Sequence, residues 1–512
     1  MSSSGGRRQW RPAAAGLAAA LLGLGAGGIV AAIFARAFSP LVVVGSAVID
    51  LTPGALKEAV IRVFGHGDKP FLFVVLSVVV AVVATLAGVL EVRRPWLGRA
   101  IVLAGGALGV AAALSRADAT PLSALPAAVA GVAAAWALAF LVRRMPPAEP
   151  PRAQTAPSRR AFLWWSAGAA AVGLIATVGG QLATRTASAA ANARAVFKLP
   201  RPTASTPPVP AAASFDVPGI TPVITPLPQF YRTDVELVIP QLDPQQWSLT
   251  VHGLVERPFT LTWAELNELP MEEHYVTLAC VSNEVGGPLI STAKWLGYPV
   301  RLLLERAGVK EGADMVYSES FDGYTAATPL EAMTDPDRAS LLAIGMDGQP
   351  LPFARGFPAR LVVPGLYGYV SATKWVVDLK VSRFADQKGY WVTQGWAEKA
   401  PVKQSSRIDV PRPGRTLAAG HQWVAGVAWE QHVGISKVEV QVDDGPWHEA
   451  ELARAINADT WVQWRWAWDA TPGDHQLRVR GTNAKGVQQT SGVSDVLPDG
   501  ATGWHTLEVT VK

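Results

Sequence analysis

Cys280 is the only cysteine in 512 residues. It follows a strand-like run, Tyr275-Val276-Thr277-Leu278-Ala279, and precedes Val281-Ser282-Asn283-Glu284-Val285-Gly286-Gly287. A single cysteine excludes an intramolecular disulfide. Three uses of an isolated thiol remain. It can pack as a small hydrophobe, bind a soft metal as thiolate, or attack as a nucleophile once a base is positioned beside it. Residue types and spacing leave these three open. The eight histidines include no HxxxH or other close pair of zinc-site type.

The elements that must position this cysteine fall in the second half of the chain. From 229 to 400, short β-type runs such as Trp247–Val251 and Arg360–Val363 alternate with helical patches such as Leu296–Ala307, an α+β pattern. From 401 to 512 the pattern is strand and turn: Trp423–Trp429, Lys437–Val442, an Asp443-Asp444-Gly445 turn, Trp461–Trp468 and Gln476–Thr482. That spacing predicts an immunoglobulin-like β-sandwich with an apolar, tryptophan-rich core. Prolines recur from Leu199 to Pro228, so residues 186–228 are expected to form a semi-extended linker.

Residues 1–185 are of a different kind. Hydrophobic residues make up 49% of the chain and are concentrated here. Five apolar stretches, Ala13–Phe34, Phe71–Leu90, Ala100–Leu114, Leu122–Val142 and Phe162–Leu182, predict an anchor of about five transmembrane helices. The third is short for a span. Arginines gather before the first stretch (Arg7, Arg8, Arg11), between the second and third (Arg93, Arg94, Arg99) and between the fourth and fifth (Arg143, Arg144, Arg152, Arg159, Arg160). The positive-inside rule then puts the N-terminus in the cytoplasm and everything after Leu182 outside. Ser158-Arg159-Arg160-Ala161-Phe162-Leu163 resembles a twin-arginine export signal, which serves proteins already folded around a cofactor. None of the stretches holds a histidine, so no transmembrane haem relay is expected. The net charge of +4 belongs to this topology, and no basic stripe points to nucleic acid.

Around the cysteine the sequence resembles a known family. Leu278–Leu304 is similar to the molybdenum-binding segment of the sulfite oxidase family, and further blocks match in order. These are Phe230-Tyr231-Arg232-Thr233-Asp234, Leu242-Asp243-Pro244, Val251-His252-Gly253, Asp347–Pro352, Arg355–Arg360, Val363-Pro364-Gly365 and Lys374-Trp375. Gly426–Trp429 and Val438–Val440 extend the likeness into the C-terminal domain, usually a dimerisation module, so that it covers roughly Pro228 to Lys512.

The resemblance implies a molybdopterin-dependent oxidoreductase with Cys280 as the protein ligand of the metal. By position, Arg355 and Arg360 would meet the cofactor phosphate, and a planar guanidinium suits that role. Asp322 and the stretch Ser371-Ala372-Thr373-Lys374 would bond the pterin, and Tyr231, Arg232 and Thr233 would line the cofactor. Some positions depart from the sulfite-oxidising members. Those members carry two arginines shortly after the metal cysteine, where this chain has Glu284 and Val285. A pocket arginine falls on Thr233 or Asp234, beside Arg232, and the active-site tyrosine falls on Trp396, with Tyr324 a nearby phenol. Trp396, Asn283 and Glu284 are therefore the expected pocket residues, and these departures make sulfite a weak candidate for the substrate. A small-molecule substrate, a lipid membrane and a separate electron-transfer partner are implied, with a homodimer as a candidate assembly. The alternative is a non-catalytic, membrane-anchored binding or assembly module of the same fold. A thiol hydrolase would need a histidine partner that the sequence does not identify.

Overall fold

The structure, a computed structural model, describes residues 6–34, 38–64, 67–116, 119–145, 168 and 189–512. It divides into two units, Met1–Ala191 with Val235–Pro240, and Asn192–Asp234 with Gln241–Lys512.

The first unit is helical: α1 (Gly6–Phe34), α2 (Pro40–Leu51), α3 (Gly54–Phe64), α4 (Asp68–Arg93), α5 (Leu97–Leu114) and α6 (Leu125–Arg143). Among the described residues, four helical segments are long and apolar enough to cross a membrane, at Trp10–Phe34, Asp68–Arg93, Leu97–Leu114 and Pro121–Arg143. They coincide with the first four apolar stretches. The fifth stretch and the Arg159-Arg160 pair lie outside the described residues. Small residues let the helices approach closely: a Cβ on Gly16 of α1 would overlap the backbone of Ala84 in α4. α2 is apolar but has only 12 residues, too few to span. At the α4–α5 turn, buried Glu91 accepts the Arg99 side chain at 2.7 Å, the Arg99 N–H at 3.0 Å and the Trp96 N–H at 3.2 Å. In this unit Arg116 also pairs with Glu236 at 2.6 Å and with Asp50 at 3.0 Å.

The second unit begins with ten strands: β1 (Ser248–Gly253), β2 (Phe259–Thr262), β3 (Glu272–Ala279), β4 (Ile290–Pro299), β5 (Met315–Ser320), β6 (Thr325–Pro329), β7 (Leu341–Met346), β8 (Gln349–Pro350), β9 (Arg360–Val362) and β10 (Val376–Ser382). One sheet has the order β2-β1-β10-β5-β6, and the other runs β3-β4-β7-β8 with β9 paired to β7. β1 and β10 are parallel, while the other pairings are antiparallel, so the first sheet is mixed. Interior positions such as Leu249, Val251, Leu342 and Val381 are fully buried in a common core. The Leu296–Ala307 patch divides differently from the sequence expectation: Leu296–Pro299 completes β4, and only Val300–Ala307 is helical. Pro299 lacks a donor to continue a ladder and suits a helix start.

The proline-rich segment is irregular, as its composition dictates, but it is packed. Thr203 N–H donates to Met271 O at 2.8 Å, Thr225 N–H to Thr292 O at 2.9 Å, and Phe197 meets Trp263 with ring centroids 4.9 Å apart.

The C-terminal strands are β11 (Ser405–Val410), β12 (Thr416–Leu417), β13 (Gly420–Trp429), β14 (Ile435–Val442), β15 (Trp447–Glu449), β16 (Glu451–Leu452), β17 (Val462–Ala470), β18 (Gly473–Asn483) and β19 (His505–Val511). They form the sheets β11-β13-β17-β16 and β12-β19-β18-β14-β15 around one core, to which Trp464, Val440, Val479 and Val424 contribute fully buried side chains.

Candidate functional site

Cys280 stands where β3 ends and the chain turns back into β4. Its N–H donates to Leu289 O at 2.9 Å, and its own carbonyl accepts the Asn283 N–H at 3.1 Å. The Asn283 side-chain oxygen takes the Leu289 N–H at 2.7 Å, so this side chain staples the loop shut. The Glu284 carbonyl accepts the Gly287 N–H at 2.8 Å. Glu284 lines a small cleft with Asn283, Val285, Tyr367 and Lys403. The thiol is partly exposed, and Thr233 Oγ1 lies 3.7 Å from its sulfur.

Two buried guanidinium groups lie in the same region. Arg355, 9% exposed, ends a 3-10 turn and donates to the carbonyls of Tyr231 and Phe230. Arg360, 5% exposed, opens β9 and donates to Arg355 O at 3.3 Å and Ala372 O at 3.2 Å. Burial holds both guanidiniums down to about 10, opposed by Tyr231. The ion pairs of the described residues give neither arginine a carboxylate partner. Buried cations without a counter-ion are costly, so the pair is suited to an anion.

The remaining cofactor candidates converge on this place from several elements. Tyr231 N–H is held by Ser291 Oγ at 3.1 Å, and burial pushes its phenol far up, with Cys280 adding to the shift. Lys374 is ion-paired to Asp234 and donates to Thr233 O at 3.4 Å; Arg232 reaches the other oxygen of Asp234 at 3.1 Å. Thr373 is buried and shares a 2.7 Å hydrogen bond with Ser318. Ser371 is turned to the backbone oxygens of Tyr367 and Leu366, at 2.9 and 3.2 Å, and Ala372 contributes its carbonyl to Arg360. Gly368 lies beside these parts, with Tyr231 Oη and Ala279 O at ordinary contact distance from where a Cβ would stand. Asp322, 7% exposed, lies in the β5–β6 turn and accepts the Tyr324 N–H at 3.1 Å. Cys280, two guanidiniums and a buried carboxylate form a donor set that fits an anionic, sulfur-ligated cofactor.

Trp396 is placed by an aromatic cluster, with ring centroids 5.7 Å from Tyr369 and 6.5 Å from Trp391. Its link toward the cysteine runs through Tyr369, whose carbonyl accepts the Tyr324 hydroxyl at 2.8 Å. Burial raises the Tyr324 phenol, followed by the charges of Asp322 and Cys280. Sequence reasoning did not single out Tyr367, although it follows the Val363-Pro364-Gly365 block closely. Burial pushes its phenol up to about 12; the Lys403 N–H lowers it, while Cys280 and Asp499 raise it. Lys403 pairs with Asp499 at 2.8 Å. Neither residue carries a local motif, and the fold alone brings them to the cleft.

Residues 236–391 match the model of the oxidoreductase molybdopterin binding domain. Mitochondrial sulfite oxidase of Rattus norvegicus is 33% identical over 286 residues, covering 48% of this chain and 52% of that protein. Its Homo sapiens counterpart is 32% identical over 301 residues, covering 50% and 55%. An NADH nitrate reductase of Solanum lycopersicum is 30% identical over 193 residues, covering 33% and 21%. Among solved structures, the sulfane dehydrogenase SoxCD from Paracoccus pantotrophus covers 52% of this chain and 76% of that chain, at 24% identity and a TM-score of 0.46. The chain thus spans about half the length of the curated relatives it matches. Residues 236–391 thus carry an oxidoreductase molybdopterin binding domain, and over about half its length the chain is similar to the sulfite oxidase family of molybdopterin-dependent oxidoreductases.

Proposed function

We propose that the chain is a membrane-anchored, extracytoplasmic molybdenum oxidoreductase acting on a small molecule. The reaction is a two-electron change accompanied by movement of an oxygen atom or its proton-coupled equivalent. The observation that carries this reading is the pair of buried, carboxylate-free guanidiniums of Arg355 and Arg360 in the region of the partly exposed Cys280. When bound, the cofactor would supply a metal able to change oxidation state by two electrons.

This chain's residues supply the setting. Cys280 would ligate the metal through sulfur. Arg355 and Arg360 would neutralise the cofactor phosphate, and Asp322, Tyr231, Arg232, Thr233 and the 371–374 segment would hold the pterin. Glu284, Asn283 and Trp396 belong to the pocket in this reading, with Asn283 shaping it through the loop. The lysine in the cleft is already paired with Asp499, and Glu284 adds negative charge, which supports a substrate other than a small oxyanion. Four apolar helices support the anchor, and arginine placement in the sequence supports an extracytoplasmic C-terminal region. Electrons would pass to or from a separate partner protein.

The test is elemental and pterin analysis of the full-length protein beside its Cys280→Ala variant. The expected result is about one molybdenum and one pterin per chain, with metal lost in the variant. A metal-free wild type from cells competent in cofactor synthesis would favour the non-catalytic module instead.

A further inference from the structure

Cys280 directly follows β3, an edge strand, and the open edge of β3 is closed by the C-terminal domain. Thr277 N–H donates to Asp459 O at 2.9 Å, and the Thr277 hydroxyl accepts the Trp461 N–H at 3.0 Å. Asn457 Nδ2 donates to Tyr275 O, also at 3.0 Å. Beyond the cysteine, two more side chains of that domain meet the loop. Arg407 in β11, 8% exposed, donates through Nη1 to Gly287 O at 2.8 Å, through Nη2 to Thr221 Oγ1 at 2.9 Å, and through Nε to Asp409 Oδ1 at 2.7 Å. Asp409 in turn accepts the Thr221 N–H at 3.0 Å.

His505, the first residue of β19, accepts the Ile408 N–H on Nδ1 at 3.0 Å. That bond places the proton of a neutral imidazole on Nε2. Burial, with Arg407 next, pushes the imidazole down to about 4, so it stays neutral near pH 7. Its ring edge packs on Gly286, which has φ +78°; a Cβ there would overlap His505 Cδ2 and Nε2. Gly286 and Gly287 have no side chains with which to anchor themselves. Their conformation is held by the Asn283 staple and the Gly287 N–H to Glu284 O bond within the loop, and by these two outside supports.

We infer that Arg407 and His505 are positioning residues for the Cys280–Gly287 loop, which makes the C-terminal domain a working part of the molybdenum site. Removing the guanidinium deprives the Gly287 carbonyl of its donor and leaves the Asp409 carboxylate buried without its charge partner. Removing the imidazole edge opens space behind Gly286. Either change lets the loop open locally while the rest of the fold persists. The inference rests on Cys280 being the metal ligand, but it can be tested without the cofactor.

With one cysteine in the chain, alkylation of the full-length, cofactor-free protein in detergent reports on Cys280 alone. N-ethylmaleimide is expected to label Arg407→Met and His505→Asn about ten-fold faster than wild type, as the loosened loop uncovers a thiol that is only partly exposed in the folded chain. His505→Asn keeps an acceptor for the Ile408 N–H, and thermal unfolding checks that each variant folds. Arg407→Lys, which keeps a donor within reach of Gly287, should label nearer the wild-type rate than Arg407→Met. Val440→Ala, a cavity in the core of the same domain, should leave the rate within about two-fold of wild type despite its stability loss. Wild-type rates in the Arg407 and His505 variants, or an equal rise in Val440→Ala, would overturn the inference. Molybdenum analysis keeps the two readings apart. A metal-free wild type removes the molybdenum reading, whereas a loaded wild type with unchanged labelling in the variants removes only the positioning role.

Discussion

Arg355 and Arg360 are held by backbone carbonyls and sit above aromatic rings, with the Arg355 guanidinium 5.0 Å from the Phe230 centroid and that of Arg360 5.1 Å from the Trp295 centroid. Carbonyls and ring faces orient a guanidinium without neutralising it, so each charge remains available to a phosphate. Arg360→Leu is expected to weaken cofactor retention by about ten-fold or more, since a charge-assisted hydrogen bond contributes about 1.5–3 kcal/mol. Pterin content after dialysis measures this, and the double Arg355→Leu/Arg360→Leu variant should retain still less. His505 gives a pH prediction at the same scale. Its folded pKa is lowered from 6.5 to about 4, so the unfolded chain binds the proton more readily between those values. The corresponding stability is fully present above about pH 6.5 and is lost as the pH falls toward 4, on the order of 3 kcal/mol at most. Acid titration of Tm should show a shallower decline in His505→Asn than in wild type over that window.

At the scale of elements, the strand that presents Cys280 is held from both sides. β4 pairs along its whole length, and the 457–461 segment closes its outer edge. Trp461 links three parts of the unit: it is 1% exposed, its N–H meets Thr277, and its indole donates to Val223 O at 2.8 Å. Trp461→Ala is expected to cost about 3–5 kcal/mol in denaturant unfolding, from lost burial together with a cavity. Thr277→Ala removes one hydroxyl and should cost much less, about 1–2 kcal/mol. Similar costs for the two variants would argue that the indole is not a keystone of the strand edge. The runs around Trp423, Lys437, Trp461 and Gln476 were legible as strands because alternating apolar residues and polar turns mark them locally. The β4–helix boundary was not. Leu296-Gly297-Tyr298-Pro299 is apolar enough for either state, and pairing with Leu341–Met346 decides for strand.

For the whole molecule, the helical unit and the molybdopterin domain call for different surroundings, one lipid and the other water. Large apolar side chains on α4, among them Val74, Val78, Val82 and Leu86, are exposed on the protein, as expected for a lipid-facing surface. The proposed topology predicts that protease added to sealed, right-side-out vesicles removes the 189–512 region, whereas inside-out vesicles protect it. Protection in right-side-out vesicles would reverse the orientation and with it the proposed compartment of the reaction.

The sequence by itself marked the long apolar helices, the strand-rich C-terminal region and the candidate residues around Cys280. Each is written in a local pattern: long apolar runs, alternating residues, or short motifs in fixed order. Tertiary structure decided which residues from distant segments complete the site. Asn283 became a loop staple once Leu289 was in reach, and the proline-rich segment became a packed strap because Thr203 and Thr225 found partners in the molybdopterin domain. Arg407 and His505 carry no local signal at all. Their relation to Gly286 and Gly287 exists only because the C-terminal domain folds against the loop that follows the cysteine, and such long-range packing is not encoded in any short window of sequence.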